Sequence, residues 1–127
     1  MFDLAHIPLF ALADRRLAWI DRRQQLLSQN IANADTPGYR ARDLKPFASL
    51  LAAPAIHLAA TEGGALPAAD GTAASGSVTQ PQELAPDGNG VVLDKQLMNV
   101  AESDVAHELT TNLMQSYMTM FRTAIGR

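Results

Sequence analysis

Ser28-Gln29-Asn30-Ile31-Ala32-Asn33-Ala34-Asp35-Thr36-Pro37-Gly38-Tyr39-Arg40 is the stretch that decides how the rest of the chain is arranged. A helical pattern runs into it and has to stop there. Pro37 has no backbone N–H and pushes Thr36, the residue before it, out of helical geometry. Gly38 after Pro37 suits a type II turn, whose second central residue takes a positive φ. Asn30 and Asn33 stand three apart on one helical face, with Asp35 and Thr36 just beyond. Their short polar side chains suit the amides and carbonyls that a helix end leaves free. On spacing alone, the stretch is a well-made helix stop.

Upstream, Phe10, Ala13, Leu17, Ile20, Gln24, Leu27, Ile31 and Ala34 recur at steps of three and four, a heptad seam with one polar interruption. After an irregular lead over residues 1–8, Pro8 fits a first helical turn. The pattern predicts a helix of about 25 residues, roughly 37 Å long. Its apolar stripe is narrow, so it needs a partner helix. Trp19 lies off the seam and is expected either to widen the buried face or to meet a second subunit. Arg15-Arg16 and Arg22-Arg23 stand beside Asp14 and Asp21 and read as a solvated, ion-paired face.

Downstream, residues 39–44 alternate weakly and read as extended up to Pro46-Phe47, and Ala48 to Ala53 has the composition of a short helix before Pro54. Residues 61–90 are dense in Gly, Pro, Ala, Ser and Thr, and their few large apolar residues show no period. They read as a flexible loop without a core of its own. Asp87-Gly88-Asn89-Gly90 is a turn. It is not a calcium loop, because Val91 and Met98 occupy positions that need oxygen ligands. Val91 to Leu93 is a short extended lead into the last helix, with Asp94 as N-cap and Leu93 and Met98 spaced as a hydrophobic staple.

That helix is expected over Lys95 to Ile125. Leu97, Val100, His107, Met114, Met118, Phe121 and Ile125 form its seam, broken by Asp104 and Thr111. Val105, Leu109, Leu113, Tyr117 and Met120 form a second stripe, so the helix can contact more than one partner. Met98, Met114, Met118 and Met120 are expected to fill irregular gaps between helices. The fold class is therefore mainly α: long N- and C-terminal helices paired as a coiled-coil-like hairpin, with an irregular, partly extended middle loop. The divisions are 1–47 (helix and turn motif), 48–90 (flexible Ala/Gly/Pro-rich segment) and 91–127 (C-terminal helix).

The 127 residues leave no room for two independent cores. The net charge of −3 is uneven. Residues 1–45 carry seven Lys/Arg against five Asp/Glu (+2), and residues 46–127 carry three against eight (−5). Neither half has the concentrated basic patch of a nucleic-acid binder. With Cys 0, neither a disulfide nor a thiolate metal site is possible. The N-terminus lacks the basic start and the cleavage site of a signal peptide, and Asp14-Arg15-Arg16 interrupts its apolar run. The longest uncharged run, Pro46 to Thr61, is too short and too interrupted by proline to span a bilayer.

Catalytic templates fail one by one. His107-Glu108 begins a zinc-helix motif, but Thr111 stands where the second histidine is required. His6, His57 and His107 lie in separate segments, and Gly63-Gly64 sits in the low-complexity loop. Glu102, Asp104 and Glu108 are explained by a solvated or subunit-contacting face. No catalytic, metal or cofactor-binding residue and no small-molecule substrate is expected.

The opening stretch also resembles the signature of the rod and hook family of bacterial flagellar axial proteins. In that family an N-terminal helix ends in Asn-x-Ala-Asn-x-x-Thr-Pro-Gly-Tyr/Phe followed by a basic residue. Here Asn30, Ala32, Asn33, Thr36, Pro37, Gly38, Tyr39 and Arg40 stand in register. Asp87-Gly-Asn-Gly-Val-Val-Leu-Asp-Lys95, Met98 and Ala101-Glu102 resemble the C-terminal signature of one short, proximal rod type. A second short type, with a Pro-Asn-Val-Asp-like string before its last helix, is the alternative, and that string is absent. The likeness covers roughly residues 10–47 and 87–127. The family tends to place Asn after Glu102, and Tyr-Gln where this chain has His107-Glu108, which puts a subunit contact in doubt.

The resemblance implies a structural subunit of the proximal rod, exported without a cleaved signal peptide. Its implied partners are itself, other rod proteins, the rod-to-ring adaptor, the MS-ring protein and the flagellar type III export gate. The implied packing and subunit-interface residues are Phe10, Leu17, Ile20, Leu27, Ile31, Leu97, Val100, Leu109, Met114, Met118, Phe121 and Ile125. A non-flagellar two-helix adaptor would share the seams but has no reason to carry the Thr-Pro-Gly-Tyr string.

Overall fold

The computed structural model describes residues 8–52, 77–78 and 84–126. Helix α1 spans Pro8–Ala32, β1 Arg42–Asp43, α2 Phe47–Ala52, β2 Ser77–Val78 and α3 Leu93–Ile125. The lead before Pro8, His6, His57, Gly63-Gly64 and most of the segment read as a loop lie outside the described residues. Within that segment, β2 pairs antiparallel with β1, Arg42 opposite Val78 and Asp43 opposite Ser77.

Helices α1 and α3 lie antiparallel. Asn30 meets Gln96, Arg23 meets Glu102, and Phe10 stacks on Phe121 at the far end, ring centroids 6.0 Å apart. The α1 seam lies inward along its length: Phe10, Ile20 and Leu27 are buried, and Ala13, Leu17, Gln24, Ile31 and Ala34 are half-buried. Gln24, its polar interruption, donates to the carboxylate of Asp104 on α3, so the interruption of one seam meets that of the other.

From Tyr39 the chain runs back along the helix pair. Trp19 donates its indole N–H to the carbonyl of Lys45 at 3.0 Å, and its ring packs on Phe47 at 6.0 Å. Trp19 thus widens the buried face of α1. Ala41, Leu44 and Phe47 join Phe10, Ile20, Leu26 and Leu27 in the apolar core.

The seam of α3 differs from the expected one. Its buried residues are Gln96, Ser103 and Thr110, seven apart, while Leu97 and Ile125 are exposed and Val100, Met114, Met118 and Phe121 are half-buried. Small hydroxylic residues allow close helix approach, and each returns its hydrogen bond to its own helix: Ser103 Oγ to Asn99 O at 2.9 Å and Thr110 Oγ1 to Ala106 O at 2.8 Å. The larger apolar side chains are displaced to the flanks. Met98 and Met120 are exposed and fill no gap.

The start of α3 differs too. Its N-cap is Val92, extended at φ −92 and ψ 104 with no side-chain cap bond. Asp94 falls inside the first turn, where its charge favours the positive end of the helix dipole. Leu93 and Met98 are both exposed, so no staple forms. Gly126, left-handed at φ 79, closes the helix.

Candidate functional site

The two signature segments form one structure. Beyond Ala32 the helix tightens, with Asn33 N bonded to Gln29 O at 3.1 Å and Ala34 N to Ile31 O at 3.1 Å. Asn33 Nδ2 also reaches Gln29 O at 2.8 Å, and Thr36 Oγ1 donates to Asn33 Oδ1 at 3.1 Å. The chain then reverses through Thr36-Pro37-Gly38-Tyr39, with Tyr39 N bonded to Thr36 O at 3.3 Å and Gly38 at φ 71. That is the turn the Pro-Gly order predicts.

Asn30 is the hub. It is 1 % exposed, and its side chain uses its full bonding capacity. Nδ2 donates to Arg42 O at 2.7 Å and to Gln96 Oε1 at 2.9 Å, while Oδ1 accepts from Arg42 N at 3.0 Å and Tyr39 Oη at 3.3 Å. One side chain therefore ties together α1, the returning strand, the turn tyrosine and α3.

Asn89 completes the clasp from the second signature. Its Nδ2 donates to Asn33 O at 3.0 Å and Thr36 O at 2.6 Å, and its Oδ1 accepts from Val91 N at 2.8 Å. Carbonyls freed at the end of α1 are thus capped from a distant part of the chain. Two backbone bonds reinforce this contact, Gly38 N to Asp87 O at 3.1 Å and Gly90 N to Tyr39 O at 2.9 Å. Gly88, at φ 81, would place an added Cβ 3.6 Å from Gly38 Cα, so the two turns touch through their glycines.

Two helical turns back along α1 from Asn30, Arg23 binds Asp43 through two parallel bonds, Nε to Oδ1 at 3.0 Å and Nη2 to Oδ2 at 3.1 Å. Its Nη1 reaches Glu102 Oε2 at 3.2 Å, and its guanidinium stands 5.5 Å from the Trp19 ring centre. Burial works to lower its pKa, but bonding and attraction to Asp43 and then Glu102 outweigh it and hold the group above its usual value. Arg23 therefore stays charged throughout the physiological range. Arg16 lies over the Phe47 ring at 5.5 Å. Only Arg15 and Arg22 occupy the exposed face expected of all four arginines.

Of the other motif residues, Ala32, Pro37 and Arg40 are exposed. The packing residues Phe10, Leu17, Ile20, Leu27, Ile31, Val100, Met114, Met118 and Phe121 lie in or beside the helix pair, whereas Leu97, Leu109 and Ile125 face outward. Sequence reasoning missed the roles of Arg23, Asp43, Asn89 and Gln96. The seven-residue spacing of Gln96, Ser103 and Thr110 was the available signal for Gln96. Between the N-terminal half of α1, α2 and α3 lies an apolar cleft of about 400 Å³, bordered by Leu12, Leu51, Leu109 and Leu113.

Among the described residues no His/Cys/Asp/Glu group could hold a metal ion, and no helix is long and apolar enough to cross a membrane. What the geometry provides is a rigid join between two helices and an uncovered outer face.

The same join is where known proteins align. The family described as flagella basal body rod protein matches residues 13–40, most of α1 and the whole turn. The flagellar basal body rod protein FlgB of Cereibacter sphaeroides is 34 % identical over 107 residues, covering 83 % of this chain and 84 % of the relative. FlgB of Escherichia coli K12 is 32 % identical over 104 residues (73 % and 75 % covered). FlgB of Agrobacterium fabrum C58 is 25 % identical over 127 residues (95 % of each). All three relatives are of one type, which decides between the two short rod types that the sequence left open. With both signatures present and clasped to each other, and with this likeness running through both helices, the chain belongs to the flagellar basal body rod proteins of the FlgB type.

Proposed function

We propose that the chain is a structural subunit of the proximal rod, assembling through its terminal helices into the torque-transmitting shaft of the flagellar basal body. The observation that carries this reading is the clasp. Asn30 and Asn89 fix the two helices against each other at one end, and α3 keeps an apolar outer face that a lone chain leaves in water. A rigid hairpin with an uncovered stripe suits a building block that is completed by its neighbours. Leu97, Leu109 and Ile125 serve as subunit contacts, while the inward seam residues hold the hairpin itself.

On this reading the subunit works by shape and catalyses no reaction. It leaves the cytoplasm through the flagellar type III export gate without losing a signal peptide, and it comes to lie in the periplasmic space. There it contacts other rod proteins, copies of itself, the rod-to-ring adaptor and the MS-ring protein. The test is deletion of the chain followed by electron microscopy of purified basal bodies. Rings without rod or hook, together with lost motility, are expected. Intact hook-basal bodies in the deletion strain would overturn the reading.

A further inference from the structure

The outer stripe of α3 has an internal symmetry. Met98, Val105, Leu109, Leu113 and Met120 are 72 %, 65 %, 64 %, 50 % and 54 % exposed. Glu102 and Ser116, both exposed, complete the row. Counted outward from Leu109, Val105 and Leu113 stand four residues away, Glu102 and Ser116 seven, and Met98 and Met120 eleven. A plain heptad has steps of three and four on either side of any seam residue and lacks this symmetry. The row is two eleven-residue repeats, a period that keeps a stripe on one face of a helix.

We propose that two copies of this chain pair antiparallel through this stripe, about a two-fold axis at Leu109, in a closed dimer that covers the stripe before assembly. In that arrangement Val105 meets Leu113 of the partner subunit, Met98 meets Met120 of the partner subunit, and Leu109 meets the partner's Leu109. The one carboxylate in the row, Glu102, meets the partner's Ser116. A parallel pair would bring the two Glu102 carboxylates, each held by Arg23 of its own chain, next to each other, whereas the antiparallel pair keeps them apart. Most of the outward face of α1 is polar, with Asp14, Arg15, Asp21, Arg22, Gln25 and Gln29 on it, and its exposed Leu12 borders the cleft rather than continuing into a stripe. Among the described residues a second α3 is therefore the continuous apolar surface that fits.

The contact is roughly 33 Å long at 1.5 Å per residue. A single helix pair of that length falls at the low end of interface sizes, below roughly 1,200 Å², so the dimer is one that opens. Only its timing rests on the rod reading. A two-fold contact closes on itself, whereas a rod grows by head-to-tail contacts, so the pair must separate before the stripe meets a neighbour in the shaft. The dimer itself can be tested on the isolated chain, with no flagellum present.

The absence of cysteine from the chain makes the test direct. Under mild oxidation the full-length Leu109→Cys chain is expected to form a disulfide-linked dimer, since that position faces its own copy. Met98→Cys and Met120→Cys chains are expected to cross-link at least about tenfold more when mixed than either does alone, as the distance limits of a disulfide require. Predominant Met98→Cys self-linkage would mean a parallel pair, and ladders beyond the dimer would mean an open chain. Either result overturns the proposal. Leu109→Glu should shift the protein from dimer to monomer in sedimentation with its helical circular dichroism unchanged, and an unmodified chain that stays monomeric at about 100 μM, where a 10 μM dimer would be mostly assembled, also overturns it.

Discussion

At the turn end of the helix pair, Asn30 and Asn89 engage both of their amide donors and their carbonyl oxygens. At the far end, Phe10 and Phe121 meet as rings 6.0 Å apart, and an apolar cleft of about 400 Å³ opens beside them. Hydrogen bonds are directional, and a buried donor left without a partner is costly, so the turn end admits one register. Ring contacts are tolerant of small shifts, and the far end can adjust to whatever it meets. Alignment is set at one end of the molecule and adaptability is left at the other.

The sharpest way to break this contrast is Asn30→Leu. The change keeps volume but strands Arg42 N and O, Gln96 and the Tyr39 hydroxyl, and it should cost about 3 kcal/mol in urea unfolding followed by circular dichroism. A cost below that of the far-end substitution would refute the division. Asn89→Ala removes a cap without touching the core and should cost about 2 kcal/mol, with faster amide exchange confined to residues 30–38. At the far end Phe121→Ala, half-buried and beside a cleft, should cost only about 1 kcal/mol in the same melt. Smallest of all, Leu113→Ser on the outer stripe should leave the stability of the isolated hairpin within about 0.5 kcal/mol. In motility agar that same substitution should still reduce swarming if the stripe is an assembly surface, which separates folding from function.

How much of this was legible in the sequence differs between the two helices. The α1 seam could be read from Phe10 to Ala34 because its inward residues are the large apolar ones and its outward residues are charged. In α3 the relation is mixed. Gln96, Ser103 and Thr110 are its fully buried residues and Val100, Met114, Met118 and Phe121 are half-buried beside them, while Val105, Leu109 and Leu113 stay exposed, so apolarity alone does not mark its inner face. That exposed stripe is itself informative, since a helix with apolar residues on a second face is shaped for a second contact. Asn30 was recognisable as a residue of the helix stop. Its partners were not, because Arg42 and Gln96 stand 12 and 66 positions away and local periodicity carries no trace of them. Asp43 was hidden for the same reason, as the charge pattern of α1 alone suggested local pairing for Arg23.

The span of the clasp along the chain also has a kinetic consequence. Asn89 reaches back 53 and 56 residues to finish a helix that could otherwise form within microseconds. Closing an unfolded stretch of that length costs about 4 kcal/mol before any contact forms, which slows the encounter of the two turns. A chain that has emerged only as far as residue 86 possesses every residue of α1 and of the Pro-Gly turn but has no means of sealing them. The first half of the molecule must wait for the second.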